Sequence, residues 1–201
     1  PTSELGKVTK STPFGSVDFP FNPLSLALGA EASFVARTHD MDRKHMMEVF
    51  RRAHDHRGAG FVEIYQNCNV FNDGAFDTIT ARENRPDNLI PLEHGRPIRF
   101  GRNNEKCVVL DRQGRARIAL VSEVSEGDIL VHDERRPDPG LAFTLSRLAA
   151  GPSQPTPVGI FRAVDRQDYG SGIEQQLLEA HRRQGPSDLA RLFRSGTTWE
   201  I

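Results

Sequence analysis

Hydrophobic and polar positions in residues 1–23 follow neither a helical nor a strand period. Gly, Pro, Ser and Thr are frequent there, which predicts a long loop. The pattern then changes: residues 22–28 predict a short helix, because Asn22 is a favourable N-cap and Pro23 fits the first turn. Gly29 ends this helix. Three aromatic residues favour an ordered rather than a disordered loop: Phe14, Phe19 and Phe21.

The next segments predict a strand, a helix and a second strand. Residues 32–36 and 61–65 are rich in β-branched and aromatic side chains, which is typical of buried strands. Between them we expect a helix capped by Asp40 and running to about Arg57, with Gly58 as its stop signal. This order favours a parallel sheet of the α/β class. The helix has apolar residues at the spacing of one buried face: Met46, Val49, Phe50 and Ala53.

Beyond residue 83 the pattern becomes more irregular. Residues 84–88 predict a turn-rich linker, and the Gly-containing turn 101–104 predicts a β-hairpin between residues 98–100 and 108–110. The remaining predicted elements are helices at 140–149 and 172–184, a strand at 158–164, a loop at 151–157 and a last short helix at 186–193.

Composition excludes several classes of protein. The chain has 201 residues, of which 37% are hydrophobic, so it can form a core. Its net charge of −1 argues against a general binder of nucleic acid or of an acidic membrane surface. No apolar run reaches the roughly 20 residues that a membrane span needs. The two cysteines provide no disulfide framework, so we expect a reducing, cytoplasmic compartment.

Cys68 is the residue with the most chemical information. It follows the predicted strand 61–65, in a polar loop at the carboxyl end, where parallel sheets commonly place their sites. Two interpretations are open. Cys68 is an inert buried thiol, or it is a thiolate ligand to the iron of an iron–sulfur cluster, and neighbouring amides tune the reduction potential of that cluster. A single cysteine cannot hold a cluster, and Cys107 belongs to the predicted hairpin. Any further ligands would therefore lie outside this sequence.

The other residue types indicate no site. His54 and His56 are two positions apart on a helix and cannot share a face, and no histidine pair has zinc spacing. The sequence contains no phosphate-binding loop, no dinucleotide fingerprint and no nucleophile elbow. The residues alone therefore indicate an α/β domain with one unusual cysteine.

Four segments resemble one enzyme family. Together they look like the β subunit of the 2-oxoacid:ferredoxin oxidoreductases, specifically the 2-oxoglutarate type. The third segment, which contains Tyr-Gln-Asn-Cys-Asn-Val-Phe-Asn-Asp-Gly, is the most specific. The segments are residues 1–3 together with 9–15, then 22–37, 60–76 and 92–100.

The resemblance implies a fold and a set of cofactors. Residues 1–83 would be the C-terminal part of an α/β domain that binds thiamine diphosphate with a parallel sheet, and residues 84–201 a C-terminal α+β extension. In that family the β subunit binds thiamine diphosphate with Mg²⁺ and one four-iron four-sulfur (4Fe-4S) cluster. The α subunit shapes the pocket, the 2-oxoacid is decarboxylated to an acyl-coenzyme A (CoA), and electrons pass to ferredoxin.

The resemblance also assigns residues. Cys68 matches the isolated fourth cluster ligand of the family, while the other three ligands and the diphosphate motif belong to an N-terminal part absent here. Asn67, Asn69 and Phe71 would surround the cluster, and Thr2 would lie near thiamine diphosphate. Because the family's Pro-Thr pair follows that cofactor motif, we expect residue 1 to be internal to a longer β subunit. Many members have Cys-Pro-Thr-Phe-Asn where this chain has Cys-Asn-Val-Phe-Asn.

Partners and alternatives follow from the same comparison. We expect the N-terminal part of the β subunit, an α subunit, ferredoxin, a 2-oxoacid and CoA as partners, with no catalytic residue in this chain and no activity of the chain alone. One alternative is a cofactor-free α/β scaffold or assembly module. Another is the pyruvate or branched-chain variant of the same enzyme.

Overall fold

The computed structural model describes residues 4–70, 73–148 and 154–196, which form two compact units. The first unit covers residues 1–166 and the second residues 167–201. The strands are β1 (Phe34–His39), β2 (Gly60–Tyr65), β3 (Leu89–Leu92), β4 (Arg99–Phe100), β5 (Lys106–Leu110), β6 (Ala116–Leu120) and β7 (Thr156–Ala163). The helices are α1 (Pro23–Gly29), α2 (Arg43–Asp55), α3 (Asp77–Thr80), α4 (Arg85–Asn88), α5 (Gly140–Ser146), α6 (Tyr169–Gln184) and α7 (Leu189–Phe193).

A four-stranded mixed sheet is the centre of the first unit. Its strand order is β2-β1-β7-β3. β1 and β2 are parallel, and α2 connects them, so the predicted strand–helix–strand unit of the α/β class is confirmed. β7 runs antiparallel to β1 and parallel to β3. The sheet therefore takes strands from both sides of residue 83, where the sequence predicts a domain boundary.

A second, antiparallel sheet contains β4, β5 and β6 in that order. The predicted hairpin across residues 101–104 is confirmed by the pairing of Arg99 with Cys107. β6 has no counterpart among the predicted elements, because its alternation of exposed and half-buried residues is weak. Cys107 is buried in this sheet, and its Sγ donates to the carbonyl oxygen of Ala119 at 3.6 Å.

Several predicted boundaries were wrong. β7 begins at Thr156, inside the loop predicted at 151–157, and α5 ends at Ser146 instead of 149. The first strand covers 34–39 rather than 32–36. Helix α2 is capped by Asp42 instead of Asp40, since the Asp42 side chain accepts the His45 backbone N–H at 3.1 Å. The predicted linker at 84–88 contains the short helix α4, in which Pro86 occupies the first turn, a position that needs no backbone donor.

The core joins the two sheets. Leu24 and Leu28 of α1, which the Asn22 side chain caps as predicted, are fully buried against Val35 of β1. Burial of each such side chain contributes about 2 kcal/mol. The same apolar cluster includes Ile90, Ile98, Phe100, Val108, Leu145 and Phe161.

The second unit contains the predicted C-terminal helices, both slightly shifted. α6 begins at Tyr169 with Asp168 as its N-cap, and α7 begins at Leu189 with Asp188 as its N-cap. Of the helices within the described ranges, none is both long enough and apolar enough to cross a membrane.

Candidate functional site

The candidate site lies where β1 and β2 end together. Their last residues, His39 and Tyr65, are register partners, so both strands end at the same edge of the sheet. The loop that contains Asn67, Cys68 and Asn69 begins directly after β2. Cys68 is exposed, which contradicts the interpretation of an inert buried thiol. The carboxyl edge of a parallel pair is the usual place for a site in α/β proteins.

The side chain of Asn67 holds this loop together. Its Nδ2 group donates to Asn69 Oδ1 and to Asp73 Oδ1, both at 2.8 Å. Its Oδ1 accepts the Gly74 backbone N–H at 2.9 Å. One amide therefore links the two ends of the loop around Cys68, and it uses the donor and acceptor capacity that only Asn or Gln offers.

Asp40 and Phe76 attach the loop to the sheet. Asp40 Oδ2 accepts the Asn67 backbone N–H at 3.2 Å, and the Asp40 backbone N–H donates to the Tyr65 carbonyl oxygen at 3.0 Å. The rings of Tyr65 and Phe76 are stacked, with centroids 4.5 Å apart and planes 10° from parallel. The beginning and the far side of the loop are thus fixed to the ends of the two parallel strands.

Arg37 supports this edge from within the sheet. Its side chain is only 4% exposed, and Nε donates to Glu63 Oε2 at 2.6 Å across the β1–β2 pair. The guanidinium carbon lies 5.0 Å from the Tyr65 ring centroid and 5.6 Å from that of Phe161. Burial raises the pKa of the Tyr65 hydroxyl, so this side chain stays neutral. Sequence reasoning missed Arg37, because an Arg inside an apolar strand is recognisable only when its partners are known.

Two histidines lie beside this edge: His39 is buried and His45 is half-buried. Burial, and next the nearby Arg85, lower the pKa of His39. Burial also lowers the pKa of His45, whose Nδ1 lies 2.8 Å from Thr38 Oγ1. Both imidazole rings are therefore uncharged near pH 7 and pack as neutral side chains.

The described residues fit one ligand of an iron–sulfur cluster and no more. No group of three or more metal-ligating side chains occurs among them. Cys107 lies in the other sheet, and burial raises the pKa of its thiol, which disfavours the thiolate that metals bind. An exposed Cys68 in a held loop suits a single outer ligand of a cluster completed by other residues. The predicted residues Thr2 and Phe71 lie outside the described residues.

Comparison with known proteins confirms the resemblance that the sequence predicts. The chain is 46% identical, over its whole length, to 2-oxoglutarate oxidoreductase subunit KorB of Mycobacterium tuberculosis, and it covers 54% of that protein. It is 37% identical over 73 residues to the 2-oxoacid:ferredoxin oxidoreductase subunit beta of Saccharolobus solfataricus, covering 36% of this chain and 24% of that protein. The chain thus spans about half the length, or less, of these relatives, which are subunits of oxidoreductase enzymes. No protein-family model matches it.

A solved structure shares the fold. It is a 2-oxoglutarate:ferredoxin oxidoreductase from Magnetococcus marinus with 2-oxoglutarate, coenzyme A and succinyl-CoA bound. The match has a TM-score of 0.60 and covers 98% of this chain and 52% of that chain. At 20% sequence identity it supports the mixed α/β architecture alone.

Proposed function

We propose that this homologue of 2-oxoacid:ferredoxin oxidoreductase β subunits is the part of a 2-oxoglutarate:ferredoxin oxidoreductase β subunit that supplies one cysteine ligand to its iron–sulfur cluster. The observation that carries the proposal is the exposed Cys68 at the carboxyl edge of the β1–β2 pair, in a chain 46% identical to a 2-oxoglutarate oxidoreductase subunit.

In the proposed reaction, 2-oxoglutarate, CoA and two oxidised ferredoxins give succinyl-CoA, carbon dioxide, a proton and two reduced ferredoxins. When bound, thiamine diphosphate with Mg²⁺ supplies the decarboxylation chemistry and the 4Fe-4S cluster the electron relay. The contribution of this chain is structural and electrostatic. The Cys68 thiolate binds one iron, and the Asn67 amide fixes the loop, so that the sulfur is held in one position.

The N-terminal segment supports the proposal that the chain works in a larger assembly. Its residues 4–22 contain no helix or strand, and hydrogen bonds such as that from the Gly6 N–H to the Ser16 carbonyl oxygen shape them. Phe14 and Phe19 are exposed, so they do not anchor the loop to this chain's own core. Several large apolar side chains exposed within one short segment suit an interaction site. We assign them to contacts with the rest of the β subunit and with the α subunit: Val8, Phe14, Val17 and Phe19.

The test compares the two cysteines in the complete enzyme. Cys68→Ser is expected to remove most of the iron and acid-labile sulfide of the cluster, about four of each per β subunit in the parent enzyme. Cys107→Ser is the matched control, because it makes the same atomic change at a buried position. The serine hydroxyl can replace the thiol as donor to the Ala119 carbonyl oxygen. Circular dichroism of both variants reports whether the fold is intact.

Equal iron content in the two variants would contradict the ligand assignment. A parent protein without iron or thiamine would instead support a cofactor-free scaffold or assembly module. Reduction of a viologen acceptor with 2-oxoglutarate, pyruvate and a branched-chain 2-oxoacid in turn tests the substrate. Preference for 2-oxoglutarate is the expected result, and preference for another acid would contradict the substrate proposal.

A further inference from the structure

A cavity of about 600 Å³ opens at the end of the sheet opposite to Cys68. Its floor includes Phe34, the first residue of β1, and Ala163, the last residue of the antiparallel β7. The C-terminal turn of α2 and the residues that follow it form one wall. The cavity is open to solvent, and polar atoms form more of its lining than apolar atoms do, which suits a charged ligand.

Four arginines line the cavity, and two of them have carboxylate partners. Arg51 pairs with Glu48 and Asp55 along the exposed face of α2. Arg52 donates to both oxygens of the buried Glu134 carboxylate, at 2.6 and 3.2 Å. This bidentate pair fixes the Arg52 guanidinium in the wall of the cavity.

The other two arginines are Arg57 and Arg135. Within the parts of the chain that the structure describes, neither forms an ion pair with a carboxylate. Both line the same cavity, and both are exposed and able to reorient toward a ligand. Two guanidinium groups match the double negative charge of a phosphate, whose oxygens accept bidentate hydrogen bonds from Arg.

The remaining lining is suited to the rest of a ligand. His56 is fixed by a 2.8 Å hydrogen bond between Nε2 and Ser33 Oγ, and its ring lies 5.4 Å from that of Phe34. Burial lowers the pKa of His56, so this wall is neutral near pH 7. Asp165 also lines the cavity and adds a carboxylate acceptor. A carboxylate would repel a second anion but would accept hydrogen bonds from hydroxyl groups.

We propose that this cavity binds a small phosphorylated ligand, with the phosphate at Arg57 and Arg135 and a hydroxyl-bearing part toward Asp165. A sugar phosphate has this chemistry. The site is separate from the Cys68 edge, so the proposal does not depend on the proposed enzyme function.

The experiment is isothermal titration calorimetry of the protein with ribose 5-phosphate, inorganic phosphate and ribose. We expect saturable binding of ribose 5-phosphate, weaker binding of inorganic phosphate and none of ribose. Arg57→Gln and Arg135→Gln are each expected to weaken ribose 5-phosphate binding by about tenfold, the loss typical of one charge-assisted hydrogen bond. Asp165→Asn should weaken ribose 5-phosphate binding and leave inorganic phosphate unaffected or tighter.

Arg112→Gln is the matched control, because it removes an equally exposed arginine that does not line the cavity. It should leave binding unchanged. If neither ribose 5-phosphate nor inorganic phosphate binds saturably, the proposal is overturned. An equal loss in the Arg112→Gln variant would also overturn it, because the effect would then be one of total surface charge. Urea unfolding of each variant checks that these exposed substitutions leave the fold intact.

Discussion

The buried pair of Arg37 and Glu63 gives the sharpest stability prediction. We consider Arg37→Met, which keeps most of the side-chain volume and removes the charge. The change removes the 2.6 Å bond to Glu63, a 3.3 Å bond to the Pro157 carbonyl oxygen and two contacts with aromatic rings. It leaves the Glu63 carboxylate, whose side chain is 15% exposed, without its cation.

The expected magnitude follows from this burial. Removing one partner of a buried ion pair typically costs about 3–5 kcal/mol. Because some solvent reaches Glu63, we expect the lower end, a loss of about 3 kcal/mol in the free energy of unfolding. Glu63→Gln alone should cost less, about 1–2 kcal/mol, since a neutral amide can still accept from Arg37. The double variant should be more stable than the sum of the two losses implies, because no isolated charge remains.

The assay is urea unfolding followed by circular dichroism for the parent, both single variants and the double variant. A coupling free energy of at least about 1 kcal/mol is expected from this double-mutant cycle. A loss below about 1 kcal/mol for Arg37→Met, or strictly additive losses, would refute the argument that the charge of Arg37 is needed at this position.

Three further predictions concern the backbone, pH and the loop. Gly159 has a φ of +124°, and an added Cβ would lie 2.8 Å from the Leu92 carbonyl oxygen. Gly159→Ala should therefore lower the free energy of unfolding by about 2 kcal/mol or more. Gly127→Ala is the control: its added Cβ would meet open space, so the urea midpoint should change little. Burial lowers the pKa of His39 and of His132 from the ordinary value of 6.5. As the pH drops below about 6.5, the unfolded chain therefore binds more protons than the folded chain, and the free energy of unfolding should fall. A constant urea midpoint from about pH 7.5 to 5 would contradict this. Asn67→Ala removes three hydrogen bonds and should accelerate hydrogen exchange at the amides of the loop by about tenfold or more, while unchanged exchange would show that the loop does not depend on it.

Local signals in the sequence determined much of the fold. The cap and first turn of α1, the strand–helix–strand unit and the hairpin around residues 101–104 each depend on residues close together in the chain. The position of Cys68 in a loop after a parallel strand followed from the same local pattern, and its proposed role from the resemblance of the surrounding segment. These features are predictable because propensity, capping and turn chemistry act over a few residues.

Contacts between distant segments decided the rest. Asp40 and Asp42 are equally good helix caps by residue type. The Asp40 carboxylate accepts the Asn67 backbone N–H, whereas the Asp42 carboxylate accepts the His45 backbone N–H and so caps α2. β7 lies between β1 and β3, although about 120 residues separate it from β1, so no local pattern gives its place or direction. Arg37 is tolerated in a buried strand only because Glu63, Pro157 and two rings surround it there. Burial of a charge and the register of a sheet are set by what packs against a residue, and only the tertiary structure supplies that.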